Sequence, residues 1–316
     1  MTVEEFLSNF CSSIELTEKQ RDKVASRHKK LRKKLREKLE LADDFLTGSY
    51  AKHTMIRPLD EEDKFDVDFF VTFSGDDHDE SELEDLKNEV LNGLEDIEKD
   101  DNLIESVRPQ DCSIGIIYSD EFQIDVVPAI EIEKDEIYKI FERQSGEPVM
   151  SNPKLHANLL TKANDASESG GRKRLVPMIK LLKYWKRMHC DYVKSFHIEL
   201  LCLRLIGEEK IDSFSQGLSR FFDLAPDYVR DHDLIDPANE RNIINEYLNS
   251  DEDKLDAFIT QLENAQGRVD NALELERNGD EQGSLKEWRK LFEIKDKSDD
   301  RSIEIPSIIP AKPWAE

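Results

Sequence analysis

No apolar run in the 316 residues approaches the ~20 that a bilayer-spanning helix needs, so no membrane anchoring is expected. The start, MTVEEFLSNF, does not read as a secretory signal, having no positively charged start followed by an apolar stretch, and a cytoplasmic location is expected. Cysteine is scarce. Cys11, Cys112, Cys190 and Cys202 are scattered, with no His at metal-ligand spacing, which argues against a disulfide framework and a zinc site and leaves buried free thiols. Positive charge is in deficit: 45 Lys and Arg stand against 70 Asp and Glu, a net charge of -25. Such a field repels long polyanions unless a local basic patch opposes it, whereas small nucleotides carried with a divalent metal remain compatible. No internal repeat is present.

A chain of 316 residues is long enough for one large or two ordinary domains, with two lobes the first expectation, and 38% hydrophobic with 36% charged residues describes a soluble protein with a very polar surface. Thr17-Glu18 opens a long amphipathic helix over 17–40, with Val24, Leu31, Leu35 and Leu39 at helical spacing. Its basic face, Lys29, Lys30, Arg32, Lys33, Lys34 and Arg36, reads either as a solvated surface or as a nucleic-acid contact. Phe45-Leu46 leads into the turn Thr47-Gly48-Ser49 and a short helix ended by Arg57-Pro58. Residues 66–73 alternate strictly, with Val67, Phe69, Val71 and Phe73 on one face and Asp66, Asp68, Phe70 and Thr72 on the other, the pattern of a half-buried strand. A helix over about 82–99 and a hairpin of 113–118 with 122–127 complete a small mixed sheet with flanking helices. The polar stretch 163–174 reads as a linker or mobile loop. Beyond it, helices are expected over 174–190, 196–206, 214–222, 239–248, 254–277 and 283–293, followed by a charged, Pro-containing tail.

Asp66 and Asp68 lie two apart on a strand, so both carboxylates project from one face. Two anions ~4 Å apart repel by roughly 1 to 4 kcal/mol, depending on the effective dielectric. A divalent cation reverses that sign, and Mg²⁺ or Mn²⁺ suits carboxylates together with phosphate oxygens. Asp125 interrupts the apolar run Phe122-Gln123-Ile124-Asp125-Val126-Val127, where an acid is costly unless paired or metal-bound. Gly48 allows close backbone approach to a phosphate, and Ser49 with the following amides can hold phosphate oxygens. On a later helix Lys180, Lys183 and Arg187 form a basic stripe beside Leu175, Met178, Leu182 and Trp185.

The order of these pieces, a Gly-Ser turn, a helix, Asp-x-Asp on a strand and a lone Asp on a later strand, resembles the nucleotidyltransferase superfamily of polymerase β and the poly(A) polymerases. More narrowly, LTGSYAKHTMIRPLDEEDKFDVDFFV is similar to the CD-NTases, bacterial and archaeal relatives of cyclic GMP–AMP synthase and oligoadenylate synthetase, with Thr54 and Ile56-Arg57-Pro58 at the family's positions. Leu181-Leu182-Lys183-Tyr184-Trp185 and 195–201 resemble its second-lobe helices. Asp236-Pro237-Ala238-Asn239 resembles its Asp-Pro-x-Asn element and reads physically as a turn and helix start.

The resemblance implies an α+β fold: a polymerase β-like nucleotidyltransferase core over 1–165, a mostly helical nucleotide-binding lobe over 166–294 with the active site in the cleft, and a tail over 295–316. It implies that Asp66, Asp68 and Asp125 hold two Mg²⁺ or Mn²⁺ ions and catalyse, while Gly48, Ser49, Lys183 and Ser195 hold the donor triphosphate. His197 either reaches a base or caps its helix. The activity implied is synthesis of a cyclic di- or trinucleotide from NTPs, ATP among them, in anti-phage defence. Its partners would be an effector reached through the diffusible product and regulatory proteins of the same operon. Two rivals stay open, adenylyl transfer to an RNA end or a protein, and a catalytically silent nucleotide binder. The end Pro313-Trp314-Ala315-Glu316 lacks the small residue through which some such synthases are conjugated.

Overall fold

The computed structural model describes residues 1–60, 63–120, 122–134, 136–143 and 146–294; the tail expected over 295–316 lies outside the described residues. The chain forms two compact units. One, the sheet unit, comprises Leu16–Leu159 with Pro237–Glu240. The other, the helical unit, comprises Met1–Glu15, Leu160–Asp236 and the residues from Arg241 onward. The division expected from the sequence put the N-terminus with the sheet. Instead, α1 (Val3–Ser13), capped by a Thr2/Glu5 capping box, buries Val3, Phe6, Leu7 and Cys11 and belongs to the helical unit. Its apolar face is stabilised by packing against helices that lie more than 150 residues later, a contact no local pattern announces.

In the sheet unit, α2 (Glu18–Lys38) starts at Thr17, whose side chain accepts the N–H of Gln20, a reciprocal cap that satisfies two otherwise orphaned donors. Val24, Leu31 and Leu35 on its inner face are buried. Next come β1 (Asp43–Thr47), the single turn α3 (Gly48–Ala51) and β2 (Phe65–Ser74). A 3₁₀ turn at Glu80–Glu82 leads into α4 (Leu83–Lys99), which is followed by β3 (Ile104–Pro109), β4 (Ile114–Tyr118) and β5 (Phe122–Glu133). The meander closes with β6 (Ile137–Glu142) and β7 (Glu147–Ser151). The sheet runs β1-β2-β5-β4-β3, with β6 on the far half of β5 and β7 beyond it. β2 and β5 are parallel and the other pairs antiparallel. As the alternation of β2 requires, Val67, Phe69, Val71 and Phe73 enter one core with Ile124, Val126, Ile114 and Ile116, covered by α2 and α4. On the opposite face of β2, Phe70 packs with Tyr138 and Phe45.

Of the basic face of α2, Lys30, Arg32, Lys34 and Arg36 are used inside the unit, while Lys29 and Lys33 stay exposed. Lys30 and Lys34 reach Asp101, Arg27 and Lys23 reach Asp120, and Lys38 reaches Asp96. Arg32 and Arg36 both engage Asp44, a buried carboxylate on β1, and Arg32 also donates to the Asp44 carbonyl at 2.8 Å. These pairs fasten α2 to the sheet and disfavour the nucleic-acid reading of that face.

The chain passes into the helical unit within α5 (Pro153–Ala166), followed by α6 (Leu175–His189), α7 (Ser195–Ile206) and α8 (Phe214–Asp231). The stretch expected as a mobile loop is tied down. Ser167, fully buried, donates to Asn164 O at 2.6 Å and accepts from the N–H groups of Arg174 and Leu175 at 3.1 and 3.2 Å. Arg174 in turn reaches Glu4 and the Ile211 carbonyl. Residues 239–248 are not the expected helix: β8 (Ile235–Asp236) and β9 (Asn239–Ile243) form a hairpin, followed by the single turn α9 (Glu246–Asn249). Asn242 donates to the Asp236 carboxylate at 3.0 Å and buried Asn245 accepts the Leu234 N–H at 2.8 Å, the second a side chain to main chain bond of the kind that competes with helix formation. Two final helices, α10 (Glu252–Arg277) and α11 (Glu281–Leu291), bury Phe258, Leu262 and Trp288.

Asp44 is the joint between α2 and β1. Asp44→Asn removes charge-assisted bonds from two arginines and is expected to cost about 1–3 kcal/mol in chemical denaturation, whereas Asp43→Asn, at an exposed position, is expected to stay within about 0.5 kcal/mol.

Candidate active site

Parallel pairing of β2 with β5 sets Asp68 directly opposite Asp125 and Asp66 opposite Gln123. Because both strands alternate, all four side chains leave the same face of the sheet while their neighbours Val67, Phe69, Ile124 and Val126 fill the core. Asp66, Asp68 and Asp125 each bring a ligand atom within 4.8 Å of the others. At that spacing each pair of ionised groups repels by about 1 to 3.5 kcal/mol across the plausible dielectric range. Asp66 is the most exposed of the three, yet desolvation by the surrounding protein, then Asp68, then Asp125, pushes its carboxyl up to about 8. Burial raises Asp125 as well, against the pull of hydrogen bonds from Gln123 and Gln110. A cluster of acids held this close by the backbone fits a hard divalent cation, whose charge would remove the repulsion.

The Gly-Ser turn sits against this cluster. β1 pairs with β2 so that Thr47 faces Asp68, and the next residue, Gly48, has φ +65°. A Cβ there would fall 1.8 Å from Asp68 Oδ2. Only glycine supplies both the left-handed backbone and the clearance. After the single turn of α3, the N–H groups of Thr54 and Met55 both donate to the Ser49 carbonyl, at 2.9 and 3.1 Å. Thr54 is fully buried and fixes the exit of the turn. The structure thus brings together five of the residues expected from the sequence: Gly48, Ser49, Asp66, Asp68 and Asp125.

Lys183 and Ser195 lie in the helical unit. Ser195 is the first residue of α7 and is exposed. Lys183 is buried, with its ammonium 3.0 Å from buried Glu199. Its stripe is not an open basic surface, because Lys180 pairs with Glu15 at 2.6 Å and Arg187 with Asp191 at 3.3 Å. Glu15 comes from elsewhere in the chain, which spacing along one helix could not reveal, whereas Asp191 lies only four residues beyond Arg187. His197 neither caps α7 nor faces solvent. It is buried against Phe258 and shares a 3.1 Å hydrogen bond with the Tyr247 hydroxyl, which also accepts the Lys194 N–H at 2.9 Å. Burial, reinforced by Lys194, lowers His197 to about 4.

Two site residues escaped the sequence reading. Gln123 Nε2 donates to Asp125 Oδ1 at 3.1 Å and Gln110 Nε2 to the same oxygen at 3.3 Å. Gln123 could have been found from its place two residues before Asp125, on the same strand face. Gln110, on the turn between β3 and β4, has no such signal. Asp111, Cys112 and Glu142 form a second close group, but there Lys87 already supplies a cation at the Gln110 and Asp111 carbonyls, and burial pushes the Cys112 thiol up to about 11.

With this geometry in place, comparison with known proteins is specific. Residues 1–164 match the model of the Second Messenger Oligonucleotide or Dinucleotide Synthetase domain. No curated protein sequence matches the chain. Among solved structures, Escherichia coli MS115-1 CdnC with ATP is 22% identical with a TM-score of 0.69, over 92% of this chain and 97% of that one. Escherichia coli DncV in its 3'-deoxy GTP bound form is 14% identical with a TM-score of 0.70, over 89% and 92%. Bradyrhizobium diazoefficiens CdnG in complex with GTP is 13% identical with a TM-score of 0.66, over 90% and 97%. At these identities the likeness is one of fold, and the fold is the polymerase β type implied by the sequence motifs.

The raised Asp66 carboxyl has a thermodynamic consequence. In metal-free protein the folded state binds more protons than the unfolded state between the ordinary carboxyl pKa of 3.8 and about 8, so this residue's contribution to stability is lost as pH rises through that window. Asp66→Asn is expected to melt higher than wild type at pH 8 in EDTA, with the difference vanishing towards pH 4. Lys183→Met behaves oppositely. It deprives buried Glu199 of its ammonium partner and is expected to cost about 3 kcal/mol, most of it recovered in Lys183→Met/Glu199→Gln.

Proposed function

The chain belongs to the second messenger oligonucleotide or dinucleotide synthetase family, and from that premise we propose that Asp66, Asp68, Asp125, Gly48 and Ser49 form the active site of a cyclic oligonucleotide synthase. The observation that carries this reading is the convergence of three carboxylates from two parallel-paired strands beside a glycine that no other residue could replace.

In this reading Asp66, Asp68 and Asp125 hold two Mg²⁺ or Mn²⁺ ions. Bound there, the ions supply charge neutralisation for the leaving pyrophosphate and a lowered pKa for the acceptor ribose hydroxyl. Gly48 lets the backbone approach the donor triphosphate, and Ser49 offers its hydroxyl and amide to phosphate oxygens. Ser195, exposed at the start of α7, is the proposed second-unit contact to the triphosphate. Lys183 joins it only by exchanging Glu199 for phosphate. Asp125 would position the acceptor hydroxyl and take its proton, while Asp66 and Asp68, being anions, would act on the donor phosphates only through the ions they hold. NTPs are the substrates, ATP among them; the ATP and GTP in the structures of CdnC and CdnG support this choice. The product, a cyclic di- or trinucleotide, would act on an effector protein in anti-phage defence in the cytoplasm, under the control of regulatory proteins from the same operon. No described helix is long and apolar enough to cross a membrane.

Incubation with labelled ATP and mixed NTPs, with Mg²⁺ or Mn²⁺ and no macromolecular acceptor, is expected to yield a small phosphatase-resistant product identifiable by mass. Asp66→Asn and Asp68→Asn are each expected to reduce it by on the order of 10³-fold, the rate equivalent of several kcal/mol of transition-state stabilisation. No small product in that incubation, with label transferred to RNA or protein in a parallel one that contains it, would overturn the cyclic product in favour of adenylyl transfer. Undiminished product from Asp66→Asn would sink the site assignment.

A further inference from the structure

We infer that Gln110 and Gln123 are positioning residues that clamp one oxygen of Asp125 and leave the other for the cation and the acceptor hydroxyl. This rests on the site reading above and adds a division of labour within one carboxylate.

Both amides converge on Oδ1, at 3.3 and 3.1 Å. Neither donates to Oδ2. Gln123 is held by strand register, two residues from Asp125 on the same face and opposite Asp66 in β2. Gln110 is held by its turn: its N–H donates to the Ser113 carbonyl at 2.9 Å, and Lys87 donates to its own carbonyl at 3.0 Å. Of the two orientations of its side-chain amide, the one with Nε2 on the carboxylate satisfies both ends, because the carboxylate only accepts while the Ser113 hydroxyl can donate to Oε1 at 2.5 Å.

Gly115 opens the path for that reach. It is paired with Asp125 across β4 and β5, and a Cβ on it would fall 2.5 Å from Gln110 Nε2 and 3.3 Å from Asp125 Oδ1. Any side chain there would push the Gln110 amide off the carboxylate.

The donors are neutral, and that choice matters among three acids. A lysine or arginine in either place would pair with Asp125 and compete with a divalent ion for it. Two amide dipoles instead fix the carboxylate plane while leaving its full negative charge. An unclamped Asp125 could rotate to offer both oxygens to one ion, or swing away from Asp66 and Asp68. Partners of this kind, one step removed from a metal, typically change affinity or activity by about 10–100-fold when removed.

The test uses the full chain and Mn²⁺ itself, titrated by electron paramagnetic resonance in the presence of a non-hydrolysable ATP analogue, with thermal melts as control. Wild type is expected to bind Mn²⁺, and Asp66→Asn to lose that binding. Gln110→Met/Gln123→Met is expected to bind about 10–100-fold more weakly with its melting temperature retained, a separation that a purely structural role would not produce. Gly115→Ala is expected to reproduce Gln110→Met. The double variant should fall short of the product of the two singles, since both amides serve one oxygen. Unchanged Mn²⁺ affinity in the folded double variant overturns the clamp; should that variant not fold, unchanged affinity in both singles and in Gly115→Ala does so. Wild type without Mn²⁺ binding sensitive to Asp66→Asn overturns the metal-site reading beneath it, a result distinct from failure of the clamp alone.

Discussion

The parallel register between β2 and β5 is the constraint on which the site depends. It places Asp68 against Asp125 within continuous main-chain pairing that runs from Phe65 to Ser74, so the carboxylates cannot separate without unpairing the centre of the sheet. The core face of the same strands, Val67, Phe69, Ile124 and Val126, is fully buried and resists any slip, since a one-residue shift would turn that set out of the core. Hydrophobic burial on one face thus maintains electrostatic repulsion on the other. That is the arrangement expected of a site completed by a cation, and it explains why burial and the two neighbouring acids push the Asp66 carboxyl up while it retains access to solvent.

Elsewhere the chain handles charge differently. Its positive groups are spent on local acids: Arg32 and Arg36 on Asp44, Lys30 and Lys34 on Asp101, Lys180 on Glu15, Lys183 on Glu199. Several of these acids are buried, where an ionised carboxylate needs a partner. At Asp125 the partners are two amides, which orient the carboxylate without discharging it. A protein with an excess of acids therefore neutralises several that hold its helices in place and leaves Asp125 without a cationic side-chain partner among its hydrogen bonds.

Much of this was legible in the sequence because it depends on local periodicity. Strict alternation over 66–73 places both aspartates on one face, the odd acid in an apolar strand marks Asp125, and the turn residues mark Gly48-Ser49. Helices α2, α4, α6, α10 and α11 follow from their apolar spacing. What stayed hidden depends on partners distant in sequence. The helix α1 is amphipathic but its partners lie in the last half of the chain; Lys183 finds Glu199 on another helix; Gln110 reaches Asp125 only because the β3–β4 hairpin folds it across Gly115. The segment 239–248 misled for a local reason, since side-chain bonds from Asn242 and Asn245 stabilise a hairpin where composition allowed a helix.

Whether Asp66, Asp68 and Asp125 form one cation site, held ready by strand register, is decided by anomalous diffraction from crystals grown with Mn²⁺ and a non-hydrolysable NTP. Anomalous peaks are expected within coordination distance of all three carboxylates, with the Asp68–Asp125 pairing retained. Peaks confined to Asp111, Cys112 and Glu142, or carboxylates splayed apart with no metal between them, would contradict it.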